Sequence, residues 1–416
     1  MAVGFTVNWT KRPGAVLLSS IDRQHPSPIY LDYHASTPVD PEVVDAMQPW
    51  FGRPGNPHSE EHSFGWKARA GVDQAKDKVA RLIGVASEDI VFTSGATEAN
   101  NIAVLGIMGF PRKGRNKLIV SAIEHASVLE PAFALRNNGV ELQFAPVDGD
   151  GRLNRESFLR MLDENVRLVS VGAVNGEIGT IQDIKWISEQ CHDRGALLHT
   201  DCAQSLTASP TLIANSGADL ISLSAHKAYG PQGIGALYIA PGIAPLIQQI
   251  SYGGGQQSGL RPGTLPTALC VGFGVACDLI SRYGEDERET VRRLRDTFLR
   301  MVADKLPDAK INGPLIDRHP GNISLQLPGD ARDTIQRMQP SIALSTGSAC
   351  HSGSHEPSSV LTAIGLSGEQ AFATIRLGFG RFTTSAEIES AAAALTSAVQ
   401  CASFPFDHFD PARLSA

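Results

Sequence analysis

The chain has 416 residues, a formal net charge of 36 − 43 = −7, 42% hydrophobic and 19% charged residues. This length suggests two or three domains and a core large enough to need no disulfide or metal staple. The composition excludes intrinsic disorder and offers no basic footprint for direct nucleic-acid or membrane binding, and no apolar run approaches the ~18 residues of a transmembrane helix.

Residues 1–28 contain Lys11, Arg12 and Arg23, with an apolar run too short for a signal-peptide core, and read as an N-terminal arm. Helical patterns follow at 41–51 and 62–84. From about 89 to 240, β-branched runs at 90–93, 117–121, 141–145, 167–173, 196–200, 219–222 and 235–239 alternate with amphipathic stretches such as 154–163 and 183–194. That alternation predicts an α/β fold with a mostly parallel sheet, whose sites form at the carboxyl ends of strands. A charged helix at 285–306 leads into a smaller α+β pattern, with strands near 323–327, 341–345 and 375–379 and a last helix near 385–402. The expected units are an arm (1–28), a large domain (29–280) and a small C-terminal domain (281–416). The six cysteines, Cys191, Cys202, Cys270, Cys277, Cys350 and Cys401, form no CxxC pair and suit a reducing cytoplasm.

Several polar segments sit at predicted strand ends. Thr93-Ser-Gly95-Ala96-Thr97-Glu98 joins a strand to a helix, where small residues and backbone amides suit a phosphate and Thr97 adds a hydroxyl donor. Glu124-His125 follows the next strand; an imidazole there can stack on a cofactor ring and move protons, or be structural. Asp201, after the apolar 196–200, can face the pyridine nitrogen of pyridoxal phosphate, with Gln204 in reach of the ring hydroxyl; the alternative is a helix N-cap. In Ser224-Ala-His226-Lys227, an amine at a buried strand end loses hydration and becomes nucleophilic, fit for a Schiff base with an aldehyde cofactor; the alternative is an ordinary loop lysine. Cys350 lies among small polar residues, where an exposed thiol can attack a bound substrate and pass sulfur on; the alternatives are an inert cysteine or a metal site with His351, His355 and Glu356, whose spacing matches no standard set. No metal is expected, and the other five cysteines read as packing.

Together these segments, with Tyr30-Leu-Asp-Tyr-His-Ala-Ser-Thr-Pro38, Gly55-Asn-Pro-His-Ser59, Val174-Asn-Gly-Glu-Ile-Gly179, Leu260-Arg-Pro-Gly-Thr-Leu-Pro266 and Arg376-Leu-Gly-Phe-Gly-Arg-Phe382, resemble the NifS/IscS-like cysteine desulfurases of the class V aminotransferase group. The resemblance implies pyridoxal phosphate on fold type I and a homodimer. It implies that Lys227 is the Schiff-base lysine, Asp201 the pyridinium partner, Gln204 the ring-hydroxyl contact and His125 the stacking histidine. Ala96, Thr97, Ser224 and His226 would hold the phosphate, with Thr264 reaching in from the neighbouring subunit. Asn56 and Arg376 would clamp the substrate carboxylate, with Asn175 beside them, and Cys350 would become a persulfide. L-cysteine would yield L-alanine, and the sulfur would pass to an acceptor protein serving an iron–sulfur scaffold, tRNA thiolation or DNA phosphorothioation.

Three positions depart from the family pattern: Gly176 replaces an asparagine, Ala225 a glycine, and His351 a small hydroxyl residue, the last placing an imidazole beside the thiol. A glycine at 176 leaves the asparagine's space to water or to Asn175, so Gly176→Asn is expected to tighten cofactor binding. The competing readings are a lyase or transaminase acting on another small amino acid, and a sulfur-relay scaffold with weak turnover.

Overall fold

The computed structural model describes residues 28–109, 114–347 and 356–402. Residues 1–27 of the N-terminal arm lie outside the described residues, as do Cys350, His351 and His355. Thirteen strands are described: β1 (Ile29–Tyr30), β2 (Ile90–Thr93), β3 (Lys117–Ser121), β4 (Glu141–Ala145), β5 (Val166–Ser170), β6 (Leu197–Asp201), β7 (Leu220–Ser224), β8 (Gly235–Ile239), β9 (Lys310–Ile311), β10 (Asn322–Gln326), β11 (Ile342–Ala343), β12 (Ser345–Thr346) and β13 (Thr374–Gly378).

Seven of them form the central sheet, in the order β2-β8-β7-β6-β5-β3-β4. From β7 to β4 every neighbouring pair is parallel, and β8 alone runs against both its neighbours. Strands β3, β5 and β7 are buried at every residue, as expected of parallel strands covered on both faces. Edge strand β4 instead exposes Glu141 and Phe144; the charge blunts a free edge. One face packs Phe92, Phe158, Ile184 and Phe273; the other packs Ile102, Leu118, Val128 and Leu220.

A second sheet, β12-β13-β10-β9, is antiparallel and covers its own core of Phe298, Ile323, Ile375 and Leu395. The helix expected at 285–306 begins much earlier and runs unbroken as Thr267–Ala303. Its first half is small and apolar because it is pressed against Pro41–Phe51 and Ser63–Ile83: a Cβ on Gly274 would lie 2.7 Å from the Ala75 Cα. Packed on all sides, that stretch has no polar stripe to reveal its period. Cys270 to Ile280 belong to the first core and Val291 to Leu306 to the second, so the change of core falls inside one helix. The strand expected at 341–345 is two pieces, because β11 pairs with β1 while β12 pairs with β13. Leu31, just after β1, is likewise buried in the C-terminal core. Among the described residues no helix is long and apolar enough to cross a membrane.

Candidate active site

The carboxyl ends of β2, β3, β5, β6 and β7 open into one cavity of about 840 Å³. It is lined by Ala96, Thr97, His125, Asn175, Asp201, Gln204, Ser224, His226, Lys227 and Arg376, so most of the predicted site residues converge there. Two do not line it. Asn56 is exposed, its Oδ1 accepting from His58 N at 2.9 Å, and Thr264 is exposed on the loop before the long helix.

At the end of β2, Gly95 adopts φ 156° and leaves the helix Ala96–Met108 without a side-chain cap. Its first-turn N–H groups are therefore available to an anion. Across the cavity Ser224 Oγ is buried with no partner among the described residues. His226, beside it, is driven down to about 4 by burial and by the Lys227 charge, so it is neutral at pH 7. Asp201, the last residue of β6, is held at both oxygens: Ala203 N donates to Oδ1 at 2.8 Å and Asn100 Nδ2 to Oδ2 at 2.7 Å. Asn100 also donates to Ser127 Oγ at 2.8 Å, and that hydroxyl meets His125 Nδ1 at 2.8 Å. The Ser127 N–H donates to the same nitrogen at 3.1 Å, so Nδ1 is an acceptor and a neutral His125 carries its proton on Nε2. Beneath Asp201, His199 bridges Ser170 and Ser222 on the adjoining strands and is pushed down to about 4 by burial.

Two acids of the cavity wall are shifted upward by burial. Burial pushes Glu124 up to about 8, although Gly172 N donates to it at 2.7 Å and opposes the rise. Burial likewise pushes Glu177 to about 7; Ser358 Oγ donates to its Oε2 at 2.8 Å. Arg376 on β13 is buried, its Nη2 bonded to Asp32 Oδ1 at 2.9 Å and Ser345 Oγ at 3.0 Å, while its Nε has no partner among the described residues.

Asn175 and Gly176 differ from expectation. Asn175 Nδ2 donates to Ile123 O, and its Oδ1 accepts from Glu177 N and Ile178 N, so the side chain braces its own turn. Gln204 lies in the space beside Gly176, its Nε2 only 2.8 Å from where a Cβ would stand. An asparagine at 176 would therefore have to displace the Gln204 amide before it could reach the cofactor. Asn100, Ser127, Glu177 and Asp32 were not singled out from the sequence. For Asn100 there was one signal, a polar residue on the apolar side of a helix that starts at the site.

These residues fit pyridoxal phosphate: an uncapped helix N-terminus and an orphaned buried hydroxyl for the phosphate, a fixed carboxylate for the ring nitrogen, and a lysine in the same wall. A fold-type-I sheet with such a site defines a class of cofactor-dependent enzymes. The class-V aminotransferase family matches residues 29–390, and the chain belongs to that family. It is 42% identical over 365 residues to cysteine desulfurase IscS of Rickettsia felis, covering 88% of this chain and 89% of that protein. Among solved structures, a NifS-like protein superposes with a TM-score of 0.84 at 28% identity, covering 90% of this chain and all of the other. A structure described as SspA in complex with cysteine superposes at 0.75 with 31% identity, covering 86% of this chain and all of that one.

Proposed function

We propose that this protein is a pyridoxal phosphate-dependent cysteine desulfurase that converts L-cysteine to L-alanine and keeps the sulfur as a persulfide on Cys350. One observation carries the reading: lysine, fixed carboxylate and open anion site share one cavity in a chain 42% identical to an IscS desulfurase. The likeness to a structure holding cysteine supports that substrate.

Lys227 would hold the cofactor's aldehyde end, Asp201 its ring nitrogen, and Ala96, Thr97, Ser224 and His226 its phosphate. When bound, the cofactor supplies an electron sink for the charge left when the substrate Cα loses its proton. Asp201 can hold a proton on the ring because two donors keep its carboxylate in place. His125 is oriented by the Ser127 N–H, which donates to its Nδ1 and leaves Nε2 as the ring's N–H in the neutral tautomer. Burial, which raises Glu124 to about 8 and Glu177 to about 7, reduces the negative charge that a substrate carboxylate meets on its way to Arg376.

Four of the cysteines, Cys191, Cys202, Cys270 and Cys277, are buried, and burial raises each thiol, so none supplies a thiolate. Cys401 is exposed but does not line the cavity. Cys350 follows Gly347, which does line it, by three residues, a reach of at most about 11 Å. Its thiolate forms an S–S bond to the substrate sulfur as the substrate's Cβ–S bond breaks. The electron pair of that bond stays on the alanine carbon, which takes up a proton.

A homodimer belongs to the same reading, with Thr264 offered to the neighbouring site and exposed Phe51, Phe64, Trp66 and Tyr252 available to an interface. So do a cytoplasmic location, to which unpaired cysteines are suited, and an acceptor protein for the sulfur.

Purified protein should be yellow and release alanine from cysteine. Lys227→Ala should lose the visible absorbance and the borohydride fixation of cofactor to chain. Cys350→Ser should bind the cofactor and yield almost no alanine; wild-type turnover in that variant would overturn the persulfide and favour a direct lyase.

A further inference from the structure

His34 plays no part in the reading above, yet it is only 2% exposed and touches two residues which that reading needs. Its backbone O accepts from Lys227 Nζ at 2.5 Å and from Gln204 Nε2 at 2.9 Å. Its ring Nδ1 lies 3.3 Å from Gln204 Oε1. Since the Gln204 NH₂ group is committed to the carbonyl, Oε1 is the acceptor and Nδ1 carries the proton. Burial, with the nearby His319 and Arg376, holds the ring well below its usual range, so it is neutral and confined to that tautomer.

The ring is also held from behind. His319 packs edge-on at 4.6 Å, and is itself bonded to Thr207 Oγ1 at 3.1 Å and Gly321 N at 3.1 Å. On its far side Gln204 lies against Gly176, where any Cβ would come within 2.8 Å of its amide nitrogen. Histidine, glutamine and glycine thus interlock: the histidine sets the amide's direction and the glycine supplies the clearance.

The geometry points to His34 as a positioning residue that fixes the Gln204 side chain, and through it the hold on the cofactor's ring hydroxyl. Gly176 then gives the Gln204 amide its room. This rests on the pyridoxal phosphate reading above.

The test measures cofactor release, by dialysis against a trapping amine, and the absorption maximum of the bound cofactor. The proteins compared are wild type, His34→Ala, His34→Asn and His34→Gln. Asparagine offers an N–H close to the place of Nδ1, whereas glutamine carries it one carbon further. His34→Ala and His34→Gln should release cofactor roughly three- to tenfold faster, the effect of one neutral hydrogen bond, with a shifted maximum. His34→Asn should stay near wild type, and His34→Ala should add nothing in a Gln204→Ala background. Equal release from the asparagine and glutamine variants, a comparison that stands even if the alanine variant does not fold, would overturn the inference, as would a full His34→Ala effect without Gln204. Wild-type protein that takes up no pyridoxal phosphate would sink the functional reading and this inference with it; normal uptake with indifferent His34 variants sinks this inference alone.

Discussion

Replacing Glu124 by glutamine should change how stability depends on pH. The residue is 5% exposed, and burial raises its carboxyl from 4.5 to about 8 in the folded chain. Below pH 4.5 it is protonated whether the chain is folded or not. Between 4.5 and about 8 the unfolded chain releases the proton while the folded one keeps it, so stability falls as pH rises; above 8 the loss is complete. At 1.36 kcal/mol per pH unit, and allowing for partial titration at each end, this group costs the wild type about 3 kcal/mol between pH 5.5 and pH 8. Glutamine is close in shape, keeps an oxygen to accept from Gly172 N, and does not titrate. The assay is urea denaturation of both proteins at pH 5.5, 6.5, 7.5 and 8, reading the difference between them so that Glu177 and the other titrating groups cancel. The variant should gain on the wild type steadily across that window. Parallel curves would refute the reasoning, since Glu124 would then titrate alike in both states.

Two further outcomes follow from the site. Asn100→Ala removes the donor on Asp201 Oδ2, and a hydrogen bond to a charged group is worth about 1.5–3 kcal/mol, so pyridoxal phosphate affinity should fall roughly tenfold or more by fluorescence titration. Arg376→Lys keeps the charge but loses the planar fork that meets Asp32 and Ser345; KM for cysteine should rise at least about tenfold, with kcat changed less, in steady-state alanine release.

The part of the site that could be read from the sequence is local. Lys227, Asp201, Thr97 and His125 each follow an apolar run closely, and a parallel sheet gathers such strand ends at one edge whatever the strand order. What could not be read depends on distant partners. Asn100 matters only because β6 brings Asp201 to it, and His34 only because residues 204, 227 and 319 surround it. The long helix was half missed for a related reason: at 267–280 burial on every side erases the periodicity that marked its charged second half. The surroundings of Gly176 could not be read because a missing side chain says nothing about which neighbour takes its place, and here that neighbour comes from 28 residues further along the chain.

The pairing of β1 with β11 bears on how the protein is made. Ile29 leaves the ribosome early, but its partner Ile342 follows 313 residues later. At about 5–20 residues per second, that interval is roughly 15–60 s of synthesis. Throughout it the segment holding Asp32 and His34 lacks the strand that anchors it, and Arg376, the ion-pair partner of Asp32, emerges later still. The central sheet can be complete well before that. A nascent chain stalled after β8 would therefore carry Lys227 and Asp201 on a finished sheet and still lack Arg376, so the proposed carboxylate clamp is translated after the rest of the cavity's lining.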